Sequence, residues 1–116
     1  MDTIVQAKRV LEIFNHMSQI PRESGNEKAI SDYIVNFANN LGLEVIQDDI
    51  WNVIIKKPAT PGYEDCPTVI LQGHIDMVCV KDHDSNHDFT KDPIANIIEG
   101  EWMHADHTTL GADNGI

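Results

Sequence analysis

The succession of hydrophobic periods along this 116-residue chain predicts an α/β fold. Apolar residues recur at helical spacing in two stretches before Gly42, and the pattern changes to short extended segments after it. Helices then strands, without a regular βαβ alternation, point to a mixed sheet with helices against at least one face.

From Ile4 to Met17 the residues Ile4, Ala7, Val10, Leu11, Phe14 and Met17 step by three and four, as one face of an amphipathic helix does. Pro21 stands just beyond, where a helix should already have ended. Ser24-Gly25-Asn26-Glu27 has the form of a capping box, which predicts that a second helix starts there. Its stripe is Ile30, Tyr33, Ile34, Phe37, Ala38 and Leu41, and Gly42 is placed to close it in the left-handed conformation. Residues 43–47 and 53–56 read as neighbouring strands, with Asp48-Asp49 and Trp51 between them. The three prolines and one glycine of residues 57–67 make that stretch a surface connection. Thr68-Val69-Ile70-Leu71-Gln72 is the most uniformly apolar run and reads as a central strand. Residues 81–92 are polar loop, and residues 97–103 two short strands about a tight glycine turn. Trp51 and Trp102 read as packing anchors.

At this length, with 41% hydrophobic residues, the chain fits one small domain or part of one. Its net charge of −11, from 19 acidic and 8 basic residues, weighs against nucleic acid and anionic membrane as partners. Either a merely soluble surface or a preference for cations, metals included, fits that surplus. No apolar run is long enough to span a bilayer, and Met1-Asp2-Thr3 does not start like a signal peptide, so the cytoplasm is the expected location. Cys66 and Cys79 show no metal-site spacing and read as free, partly buried thiols.

The chemistry-bearing feature is Gly73-His74-Ile75-Asp76, at the end of that apolar run. In extended backbone, residues two apart lie on one side, so His74 and Asp76 can share a cavity while Ile75 turns to the core. Zinc takes neutral imidazole and carboxylate ligands, and a ligating histidine commonly donates its other N–H to a carboxylate that fixes its tautomer. The same pair can equally be a buried histidine satisfied by an aspartate. Asp113, between Gly111 and Gly115, can supply a carboxylate that bridges two metals, or it can be an ordinary turn residue. Five of the six histidines, including His83, His87, His104 and His107, lie between residues 74 and 107, which admits a His-rich metal-binding loop. Interleaved aspartates make solvated loop side chains the simpler reading. His16, near the end of the first helix, is placed to meet its dipole.

Residues 68–79 and 108–116 together closely resemble the aminoacyl-histidine dipeptidases, also called Xaa-His dipeptidases or peptidase D, which are dinuclear zinc exopeptidases. Residues 20–27, His87-Asp88-Phe89 and Lys91-Asp92-Pro93 resemble the same family, so the likeness runs the length of the chain. The resemblance implies that residues 1–116 are the N-terminal portion of a three-layer α/β/α catalytic domain, without the downstream catalytic part or the lid domain. It implies Zn2+ as cofactor, two ions per site, with His74 as ligand of one, Asp113 bridging both, and Asp76 assisting catalysis by orienting His74. The implied reaction is hydrolysis of dipeptides with C-terminal histidine, β-alanyl-histidine among them, in an enzyme able to form homodimers.

Two residues depart from the family's pattern: Val80 stands in place of an acidic residue, and Asp106-His107-Thr108 replaces Asp-Gly-Thr. The glutamate general base, the adjacent glutamate ligand, a further acidic ligand and a late histidine expected after Asp113 have no counterpart up to Ile116. The isolated chain is therefore expected to be inactive. The competing expectation is a non-catalytic domain that uses its His/Asp-rich loop to bind metal or a protein partner.

Overall fold

A computed structural model describes residues 3–113. Helix α1 spans Thr3–Ser18 and α2 spans Lys28–Asn40; strands β1 (Glu44–Gln47), β2 (Val53–Lys56), β3 (Asn96–Glu99) and β4 (Trp102–Ala105) follow. The α/β class is as the hydrophobic periods predict. The strands form two antiparallel hairpins, β1 with β2 and β3 with β4, and the parallel component among the described residues is the isolated bridge between Glu23 and Met77.

Helix α1 uses only the C-terminal end of its stripe. Phe14, Met17 and Ser18 are buried, whereas Ile4 and Val10 are largely exposed. The helix is anchored where it ends. Ser18 Oγ donates to the carbonyl of Phe14 at 2.9 Å, the Ser18 carbonyl accepts from the Ile94 amide at 2.8 Å, and Asn96 Nδ2 donates to both Ser18 Oγ and Asn15 Oδ1.

Helix α2 begins three residues later than the capping box places it. Glu27 occupies the N-cap in helical conformation and its side chain makes no cap hydrogen bond to the helix. Glu27 Oε1 instead accepts from the Gly25 amide at 2.7 Å, and the Ser24 hydroxyl is engaged by Asp76. A carboxylate from a distant segment has outcompeted the local cap. The C-terminus closes as expected: Gly42 has φ of 71°, its amide donates to Asn39 and the Leu43 amide donates to Ala38, which is the Schellman arrangement.

The β1–β2 hairpin pairs Glu44 with Lys56 through to Gln47 with Val53, and its turn is organised by Asp48. Asp48 Oδ1 accepts from the amides of Ile50 and Asn52, and Oδ2 from Asn52 Nδ2, holding Trp51 at φ of 72°. The Trp51 carbonyl accepts from Ser31 Oγ at 2.8 Å, and Gln47 Nε2 donates to the same hydroxyl at 2.7 Å, which lays the hairpin on α2. Lys28 Nζ lies 5.2 Å from the Trp51 ring centroid, a cation–π contact. Trp102 is 78% exposed, so its expected role as a packing anchor is not realised.

The expected central strand at residues 68–72 does not form. Val69, Ile70 and Leu71 are 79%, 85% and 93% exposed. A strand needs neighbours for its N–H and C=O groups, and each of the four strands pairs only with its hairpin partner. Apolar character marks what a sheet would bury but does not supply the sheet. Gly73–Asp76 is accordingly irregular backbone rather than a strand terminus.

Beyond it, residues 106–109 run back along residues 78–82. Lys81 bridges Thr108, the Asp82 amide donates to the His107 carbonyl at 2.9 Å, and the Thr109 amide donates to Val80 at 2.8 Å. Thr109 Oγ1 donates to the Val78 carbonyl at 2.7 Å. This pairing covers a small core of Met77, Ile94 and Ala105, with Cys79, Phe89 and Leu110 against it. The β3–β4 turn at Gly100-Glu101 has positive φ at Gly100 alone, as a type II′ turn requires. Cys79 is half-buried and Cys66 exposed; burial pushes the Cys79 thiol pKa up, so it stays protonated.

Two positive-φ positions give stability predictions. Gly42→Ala meets no steric obstacle but must hold the left-handed conformation, and should cost about 1–2 kcal/mol in urea unfolding. His107 also sits at φ of 58°, where the related pattern has glycine, and its Nδ1 lies 2.7 Å from Asp82 Oδ2. Hydrogen bonding to Asp82, then the charge of Asp106, raises the His107 pKa above its ordinary 6.5. A raised pKa contributes stability that is present below the unfolded value and lost as pH rises through the folded one. His107→Gly should therefore gain stability relative to wild type more clearly in alkaline solution than below pH 6.5, as read by thermal melts across pH.

Candidate functional site

Of the residues expected to form a site, His74 and Asp76 are brought together. His74 Nδ1 lies 2.9 Å from Asp76 Oδ1, and Asp76 Oδ2 accepts a short hydrogen bond from Ser24 Oγ. With Nδ1–H donating to the carboxylate, the tautomer leaves the lone pair of His74 on Nε2. Asp76 is held as the anion: the Ser24 hydrogen bond, and after it that of His74, pulls its pKa below the usual carboxylate range. His74 is half-exposed. With Gly73 and Ile75 it borders a cavity of about 250 Å³ against Met17, Tyr33 and Phe37 of the two helices. Ile75 lines this cavity beside His74 and Asp76 does not, so the expected alternation, with His74 and Asp76 sharing a cavity and Ile75 turned to the core, is not realised on this irregular backbone.

Asp113 reaches the neighbourhood by a different route. The strand-like pairing of residues 106–109 with 78–82 carries the chain to Gly111, which is buried. There Arg22, 1% exposed, donates from Nη2 to the Gly111 carbonyl at 2.7 Å and from Nη1 to the Ile75 carbonyl at 3.4 Å. The Arg22 carbonyl accepts from the Met77 amide at 2.9 Å. Burial lowers the Arg22 pKa, and the negative charges of Asp113 and Asp76 oppose that shift. Asp113 itself is exposed, and Gly115, its second expected flanking glycine, lies outside the described residues. Among the described residues no three His, Cys, Asp or Glu side chains gather closely enough to hold a metal.

Three of the other histidines meet nearby acids. His107 meets Asp82 and Asp106, His104 Nε2 lies 3.5 Å from Glu99, and exposed His83 is 3.9 Å from Asp84. His87 packs edge-on against Phe89. His16 is in the last turn of α1. No member of the loop joins His74.

Sequence patterning missed two residues of the site. Ser24 has a cap-forming signature that conceals its role toward Asp76. Arg22 follows a proline between two helices, a position that ordinarily reads as surface, and no local signal marks its burial.

No family model matches the chain. Cytosol non-specific dipeptidase of Escherichia coli is 50% identical to it over 105 residues, 90% of this chain and 22% of that protein. A putative [LysW]-lysine/[LysW]-ornithine hydrolase of Pyrococcus furiosus is 25% identical over 75 residues, 65% of this chain and 22% of that protein. The crystal structure of aminoacylhistidine dipeptidase from Vibrio alginolyticus superposes with a TM-score of 0.84 at 51% identity, over 88% of this chain and 21% of that one. The chain thus spans about one fifth of the length of the relatives it matches. Among the described residues no helix is long and apolar enough to cross a membrane. Over 90% of its length the chain is similar in sequence to a cytosol non-specific dipeptidase, and over 88% it is similar in structure to an aminoacylhistidine dipeptidase.

Proposed function

We propose that the chain contributes to the dinuclear zinc site of a cytosolic dipeptidase acting on dipeptides with C-terminal histidine. The observation that supports this reading best is the contact chain from Ser24 through Asp76 to His74. It is the arrangement a metal-ligating imidazole needs, with one nitrogen held by a carboxylate and the other left as a lone-pair donor. The names of both dipeptidases support a dipeptide substrate. That of the Vibrio alginolyticus relative favours a C-terminal histidine, whereas that of the Escherichia coli relative is non-specific, and the latter's description favours a cytosolic location.

In this reading His74, through Nε2, and Asp113 would be zinc ligands, and Asp76 would fix the orientation of His74. Zinc bound there supplies Lewis acidity and brings the pKa of a bound water toward neutrality. Ser24 keeps Asp76 ionised and stationary, so the His74 proton stays on Nδ1. The cavity beside His74 gives the site an apolar wall. The chain alone supplies two of the ligands, fewer than the three protein ligands and open position typical of catalytic zinc, and should neither bind zinc tightly nor hydrolyse peptide.

Two measurements test this. In a protein of the relatives' length carrying this chain, Asp76→Asn should lower zinc affinity or kcat by about 10–100-fold with the fold intact, and Ser24→Ala should act in the same direction more weakly. Zinc content and Xaa-His hydrolysis unchanged in Asp76→Asn would count against the assignment. The 116-residue chain by itself should show no such hydrolysis, and two tightly bound zinc ions on it would refute its expected weakness.

A further inference from the structure

We propose that Arg22 is a positioning residue: its guanidinium clamps the Gly111–Asp113 segment to the Gly73–Asp76 segment and so sets how far Asp113 stands from His74. The inference rests on the reading of His74 and Asp113 as parts of one metal site.

The two carbonyls that Arg22 grips belong to Ile75, which lies between His74 and Asp76, and to Gly111, two residues before Asp113. They are 53 and 89 residues from Arg22 along the chain. One planar fork thus spans both acid-bearing segments, and only arginine offers two parallel donors at a fixed separation. An arginine buried merely for structure would be expected to satisfy all its donors. Arg22 Nε is buried without a hydrogen-bond partner, so the guanidinium is placed by the two carbonyls at the expense of its own third group.

The receiving side is fitted to this contact. Gly111 has φ of 73°, and a Cβ there would lie 2.7 Å from Arg22 Nη2 and 2.9 Å from Met77 Sδ. Only a residue without a side chain lets this backbone come so close to the cation. The buried positive charge also interacts electrostatically with both Asp113 and Asp76. The clamp is reinforced at its root, where the Met77 amide donates to the Arg22 carbonyl and Glu23 bridges Met77.

The test uses the 116-residue chain. Its only arginines are Arg9, which is exposed, and Arg22, so 15N-arginine labelling gives two distinguishable side chains. The Nη protons of Arg22 should exchange at least about tenfold more slowly than those of Arg9, and equal rates overturn the clamp with no variant made. In Arg22→Lys, with helix content unchanged by circular dichroism, the backbone order parameters of Gly111 and Ala112 should fall from about 0.85 to below about 0.6. A folded variant with both residues still rigid overturns the proposal. Should Arg22→Lys not fold, Gly111→Ala disturbs the same contact with the arginine in place and should loosen the same two residues.

A Zn2+ titration read at His74 and Asp113 separates positioning from general damage. In wild type both resonances should shift with one weak apparent affinity; in Arg22→Lys the His74 response should persist while that of Asp113 weakens about 10–100-fold. Equal weakening at both would overturn the positioning role. If zinc moves neither resonance in wild type, the metal reading fails, and the exchange and relaxation results still decide the clamp.

Discussion

A guanidinium that is 1% exposed must find acceptors inside the protein, and Arg22 finds them on two segments that share no local sequence with it. The stretch from Ser18 to Ser24 is the place where the chain is tied together. Ser18 receives the Ile94 amide, the Arg22 carbonyl receives the Met77 amide, the Arg22 side chain takes Ile75 and Gly111, and Ser24 takes Asp76. Together these contacts join the stretch after α1 to three later segments, at residues 75–77, at Ile94 and at Gly111. Charged hydrogen bonds of this buried kind are costly to break from one side, since a lone buried cation is left behind. Order in the His74 and Asp113 segments therefore depends on a short connection between two helices.

That dependence is heavier because apolar burial is thin. Phe14, Met17, Ile30, Ala38, Met77, Ile94 and Ala105 are the buried hydrophobic residues among those described, while Ile4, Val69, Ile70, Leu71 and Trp102 are mostly exposed. The radius of gyration is 16.4 Å, against roughly 13 Å for a closed domain of this length. Polar ties carry a share of the organisation that packing carries in denser folds. The Asp48 turn and the Ser31 hydroxyl act likewise for the β1–β2 hairpin, which leaves Ile46 and Ile54 uncovered on its other face.

What the sequence made legible follows the range of the forces involved. Both helices, the Gly42 closure and both hairpins rest on neighbours in the chain, and spacing alone finds them. The pairing of His74 with Asp76 is also local, being two residues apart, and reads correctly even though the strand expected to carry it does not form. Residues 68–72 mislead because hydrophobicity reports affinity for a neighbour and says nothing of whether one is present. Ser24 misleads because two acceptors compete for it: the amides of the first turn, visible in sequence, and Asp76, which is 52 residues away. Arg22 is illegible since its burial is decided wholly by distant carbonyls. The substitution at His107 is the converse case, where a glycine-like position expected from the related pattern coincides with a left-handed backbone.

The hydrogen bond from Ser24 has one more result, which concerns denticity. A carboxylate next to a cation site tends to swing in and chelate through both oxygens, displacing a weaker neighbour. Asp76 is restrained from this, because one oxygen is occupied by His74 and the other by a hydroxyl anchored beside α2. A hard cation such as calcium or magnesium, which favours clustered oxygen donors, meets an imidazole nitrogen at this corner of the protein. On the proposed metal-site reading, discrimination for nitrogen-seeking metals would begin with the Ser24 hydroxyl.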